Sequence, residues 1–138
     1  MRPHELREAL SHVRSSVVAL HRSLLSVERT DYERVHGRID SAGELLRLVT
    51  DDPSFQWLRI VSEWIVMVDE LLDDSEALTW DKSLEVVLAI HTLFSLAGNP
   101  EAFQKRYRGI LERDADVSFE HTKLMALIKP WMSKAPRD

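Results

Sequence analysis

Five titratable side chains have types and positions that could support chemistry. His21, Glu28, Asp31 and Tyr32 lie on one predicted helix, on the stripe that its apolar residues mark as core-facing, and His91 lies within the apolar stripe of a later helix. An inward carboxylate or imidazole must find hydrogen-bond partners or change its protonation state. We therefore expect His91 to meet Glu28, Asp31 or Tyr32 across a helix interface.

Three interpretations of this cluster remain open. It is a polar network that fixes helix register, a ligand or metal site, or an enzymatic site in an open cleft. A metal site would need Glu28 or Asp31 together with His91, because His21 and Glu28 are separated by about 10 Å of helical rise. No cofactor is predicted, and a divalent metal is the alternative.

Recognisable catalytic motifs are absent from the sequence. There is no phosphate-binding glycine loop, no GxSxG and no HExxH. Glu33-x-x-His36 matches the repeat unit of di-iron bundles, but it falls on a different helix face and has no second copy. The sequence therefore favours a non-catalytic role and leaves enzymatic use open.

Helix signals dominate the elements that must position these side chains. Pro3 can open a first helix that continues to His36-Gly37. Within it, apolar residues recur at alternating spacings of four and three, which is typical of a helix-packing seam: Leu6, Leu10, Val13, Val17, Leu20, Leu24 and Val27.

The remaining signals predict five shorter helices. The first two are expected over 42–50, after a Ser41/Glu44 capping box, and over 53–72, after Asp52-Pro53. The next two are expected over 80–97, between Thr79 and Gly98, and over 100–113, after Asn99-Pro100. The last begins at Asp116 or Ser118, and Pro130 stops or kinks it. The prediction is an all-α, single-domain bundle of about six helices over residues 1–138, with a long first helix.

The third predicted helix carries more apolar surface than one packing face requires. Its second apolar stripe consists of Ile60, Trp64, Met67 and Leu71. The surrounding segment 51–85 has ten acidic and two basic residues, a balance of −8. We expect this stripe and segment to bind a basic protein partner or to form a homo-oligomer. The acidic charge argues against nucleic-acid binding.

Length and composition set the class of protein. The chain has 138 residues, no cysteine and a net charge of −5, which suits one domain without disulfides. No apolar run approaches the roughly 20 residues of a membrane span, and the amino terminus lacks a secretory apolar core. We expect a cytoplasmic protein of a bacterial type that does not enter a membrane.

Two stretches resemble a known group of proteins. Leu20-His21-Arg22-Ser23-Leu24-Leu25-Ser26-Val27-Glu28-Arg29 continues to Tyr32-Glu33-Arg34-Val35-His36-Gly37, and Gly43-Glu44-Leu45-Leu46 runs into Asp51-Asp52-Pro53-Ser54-Phe55-Gln56-Trp57-Leu58-Arg59. Over about residues 18–73 the chain resembles small all-helical bacterial proteins of unassigned function. The resemblance implies a bacterial cytoplasmic helical protein and no activity.

Overall fold

The computed structural model describes residues 2–96 and 101–134, and these residues form seven α-helices and no strand. The predicted all-α bundle with a long first helix is confirmed. Within the described ranges, no helix combines the length and apolar character needed to span a bilayer. In chain order the helices are α1 (Pro3–His36), α2 (Ala42–Asp51), α3 (Pro53–Gln56), α4 (Arg59–Asp73), α5 (Trp80–Phe94), α6 (Ala102–Arg113) and α7 (Ala115–Lys134).

Local capping signals set several helix ends. The Ser41 hydroxyl accepts a hydrogen bond from the Glu44 N–H at 3.0 Å, Asp52 caps α3 with Pro53 at its first position, and the Thr79 hydroxyl caps α5. At the end of α1, Gly37 has φ +87°, a left-handed conformation that favours glycine. These ends were predicted from short-range chemistry and are confirmed.

Three helix limits differ from the prediction. The expected third helix is two helices, because a turn at Trp57 and Leu58 separates α3 from α4. Helix α5 ends at Phe94, whereas the expected stop at Gly98 and the Asn99-Pro100 cap lie outside the described residues. Helix α7 continues through Pro130 to Lys134, so that the stop, one of the two effects predicted for this proline, is wrong.

The predicted seam of α1 forms the centre of the main core. All seven of its apolar residues are buried, and they pack with residues of α4, α5, α6 and α7. Beyond Val27, α1 extends past this core. Val35 continues the apolar spacing but is 78% exposed. A second, smaller core of Ile39, Leu48 and Phe55 covers this end of α1 through Leu25 and Tyr32.

A ladder of polar contacts aligns α1 antiparallel to α4 and to the turn that precedes it. Its α1 members recur every seven residues, immediately after the seam residues: Arg7 donates to the Leu72 carbonyl, Arg14 pairs with Asp69, His21 contacts Ser62, and Glu28 accepts from Trp57. In heptad terms these are flanking positions next to the apolar seam, where polar side chains set the alignment of two helices. We call these four contacts the α1–α4 ladder.

Candidate functional site

The five predicted cluster residues do not converge on one point. Glu28 and Asp31 each bind an arginine of α6, and Tyr32 packs against Phe55 and His36. In the described ranges no hydrogen bond or ion pair joins His91 to Glu28, Asp31 or Tyr32. The expected pairing across the α1–α5 interface is therefore wrong, and the carboxylates of Glu28 and Asp31 are paired with arginines of α6 instead.

Glu28 is the most deeply buried carboxylate of the predicted cluster, at 2% exposure. Its Oε1 accepts hydrogen bonds from Trp57 Nε1 at 2.8 Å and from Arg106 Nε at 2.9 Å, with a further bond from the second Arg106 nitrogen. The Arg106 guanidinium also lies over the Trp57 ring, 5.2 Å from its centroid. We call these three side chains the Glu28 network.

The Glu28 network includes a residue of the turn between α3 and α4. Trp57 lies in that turn, where its indole N–H reaches across to α1. The Oε1 atom of this buried carboxylate accepts from one neutral and two charged donor groups of the same chain, which is typical of a structural arrangement. This fits the first of the three interpretations, a polar network that aligns helices.

Asp31 borders a polar cleft between α1 and the junction of α6 with α7. The cleft has a volume of about 370 Å³ and contains three arginines and three aspartates. Asp31 pairs with Arg113 at 2.7 Å and with Arg34 at 3.5 Å, while Asp114 accepts from the Val117 N–H. Because the charges of the three arginines and three aspartates cancel, the cleft offers no excess charge for a ligand.

The histidines lie in separate places. Burial lowers the pKa of His21, whose Nε2 is 3.3 Å from the Ser62 hydroxyl. Burial also lowers the pKa of His121, whose Nδ1 is 2.6 Å from the hydroxyl of the fully buried Tyr107. In the described ranges no three histidine, aspartate or glutamate side chains are grouped so that they could hold a metal ion.

Three of the four predicted interface residues line an open groove between α4 and α5. Trp64, Met67 and Leu71 line it, whereas Ile60 is 39% exposed and lies outside it. The groove has a volume of about 510 Å³. We call it the α4–α5 groove; its apolar residues are Trp64, Met67, Leu71, Ala77, Val86 and Ala89, and its charged residues are Glu70, Asp74, Lys82 and Glu85.

Sequence reasoning missed the partners that other helices supply. It did not find Arg106 and Arg113 as the partners of Glu28 and Asp31, or the Tyr107–His121 pair. It also missed the α5 side of the groove. A signal for that side was present, because the groove residues of α5 occupy positions 82, 85, 86 and 89, the spacing of one helix face.

No protein-family model, curated protein or solved structure matches this chain. Its function must therefore be inferred from its own residues and their geometry.

Proposed function

We propose that this protein is a non-catalytic binding protein that holds an amphipathic, basic helix of another protein in the α4–α5 groove. The observation that carries the proposal is an apolar groove that is open to solvent and bordered by three carboxylates. Met67, in the middle of the α4 side, is 44% exposed. A methionine side chain adapts its shape to different partners, which suits a recognition surface.

The shape of the groove favours a helical occupant. On α4 the lining residues 64, 67, 71 and the following Asp74 span about 15 Å of helical rise. This length matches roughly three turns of a partner helix, which would place apolar residues at every third or fourth position between the two walls. An extended peptide would have no sheet edge to pair with, because the described residues contain no strand.

Charge determines which helix fits. Glu70, Asp74 and Glu85 border the groove against the single cation Lys82, and the whole segment 51–85 has a balance of −8. A two-fold dimer through this face would place two groove linings opposite each other, each with three carboxylates and one lysine, and their repulsion costs free energy. A basic partner gains attraction from the same charges, so the proposal favours a heterologous partner over self-association.

Designed peptides can test this directly. The first probe is a fluorescein-labelled helix of about 14 residues with leucine at helical spacing and lysine on both flanks, and the second replaces each lysine by glutamate. We expect the lysine peptide to bind at least about tenfold more tightly than the glutamate peptide in fluorescence anisotropy at low salt, and to weaken as salt is added.

A matched pair of variants locates the binding surface. Met67→Glu should weaken binding of the lysine peptide about tenfold, because it places a charge on the apolar α4 side of the groove. Val66→Glu is the control, since Val66 is the adjacent residue, is 54% exposed and does not line the groove. Equal effects of the two substitutions, or equal affinity for the two peptides, would refute the proposal. Light scattering that shows a dimer disrupted by Met67→Glu would favour the homo-oligomer instead.

A further inference from the structure

A second apolar pocket lies where α1, α5 and α7 meet, separate from the α4–α5 groove. Trp80 begins α5 and Trp131 lies near the end of α7, and their rings are parallel within 1° with centroids 5.1 Å apart. Trp131 is only 3% exposed, and Trp80 is half-buried. The two indoles are therefore stacked on each other and form a rigid aromatic part of the pocket lining.

The rest of the pocket is apolar except for two nitrogen-bearing side chains. Ala9, Leu127 and Pro130 complete its apolar lining, and the exposed His12 and Lys134 stand at its open side. None of its lining residues is acidic, although acidic residues outnumber basic ones in the chain by 23 to 18. The positive charge of Lys134 therefore has no carboxylate partner among the residues that line the pocket.

The size of the pocket limits its occupant. Its volume is about 190 Å³, and an apolar cavity of about 150 Å³ can hold a benzene molecule. One aromatic ring with a short acidic substituent fits this space, while a peptide segment with its backbone does not. Contact with the stacked indoles and the aliphatic lining would hold the ring, and Lys134 would attract the anionic end.

We propose that the Trp80–Trp131 pocket binds a small aromatic carboxylate, with the ring inside and the carboxylate at Lys134. The proposal is independent of helix binding in the α4–α5 groove, because the two sites share no lining residue. Phenylacetate is a suitable probe, and phenylacetamide is its neutral counterpart of nearly equal shape.

The indole N–H signals of the four tryptophans provide the measurement. In nitrogen-15 correlation spectra, phenylacetate should shift the signals of Trp80 and Trp131 saturably, with a dissociation constant near 1 mM or below. The signals of Trp57 and Trp64 should not shift, and phenylacetamide should bind about fivefold more weakly. No saturable shift up to about 10 mM, similar shifts of all four signals, or equal affinity for both probes would overturn the proposal.

Separate variants test the apolar interior of the pocket and the lysine at its open side. Ala9→Leu fills the pocket and should abolish the shifts while thermal unfolding remains cooperative. Lys134→Gln should weaken phenylacetate about threefold. Lys123→Gln, a change of another exposed lysine of α7 that does not line the pocket, should leave the affinity unchanged. An equal effect of the two lysine substitutions would contradict the placement of the carboxylate.

Discussion

Replacing Glu28 by glutamine should cause a large loss of stability. The bond from the Trp57 indole to the buried carboxylate is a hydrogen bond to a charged group, worth about 1.5–3 kcal/mol. The Arg106 side chain is 48% exposed, so solvent screens its ion pair and the added contribution is below about 1 kcal/mol. Because the amide keeps one acceptor oxygen, we expect Glu28→Gln to lower the free energy of unfolding by about 2–3 kcal/mol.

This loss is measurable by two independent methods. For a chain of this length it corresponds to a decrease in melting temperature of about 10 °C, and the same difference should appear in urea unfolding followed by circular dichroism. The control is Glu63→Gln, which removes the same charge from an exposed position of α4 and should change stability by less than about 0.5 kcal/mol. Equal stabilities of the two variants would refute the role assigned to the Glu28 network.

Two further predictions concern buried polar groups. Ser16 and Ser83 are buried, and neither hydroxyl has a hydrogen-bond partner in the described part of the chain. Ser16→Ala and Ser83→Ala should therefore each raise the free energy of unfolding by about 1 kcal/mol in thermal melts. The control Ser62→Ala removes the partner of His21 and should not stabilise the protein. Burial lowers the pKa of His21 and of His121 in the folded chain, so the unfolded chain binds protons first and stability should fall as the pH falls below about 6.5. Urea unfolding at several pH values should show a flatter profile for the double variant His21→Gln, His121→Gln, and an unchanged slope would contradict this explanation.

Features that depend on nearby residues could be predicted from the sequence. The α1 seam is visible in the spacing along one helix, the caps at Ser41, Asp52 and Thr79 rest on contacts within a few residues, and all are confirmed. The turn at Trp57 could not be found in this way, because an indole bonded to α1 accompanies it. A local pattern therefore predicted one helix where the chain forms two.

The candidate sites were only partly predictable for the same reason. Helical spacing identified Trp64, Met67 and Leu71 as surplus apolar surface, and all three line the α4–α5 groove. Helical spacing also identified Glu28 as inward-facing, but its partner Arg106 lies 78 residues further along the chain. Periodicity states which way a side chain points and carries no information about which distant helix faces it.

The α1–α4 ladder has a consequence for how the chain could change in length. An insertion of seven residues within α1 would preserve the apolar seam, because the seam repeats with that period. The polar contacts are not interchangeable in this way: sliding α1 by seven residues in one direction would place Glu28 opposite Ser62, and in the other direction His21 opposite Trp57. Both displacements separate the buried carboxylate of Glu28 from its indole donor. The apolar seam therefore permits several alignments of α1 against α4, and the hydrogen bond of Glu28 is formed in only one of them.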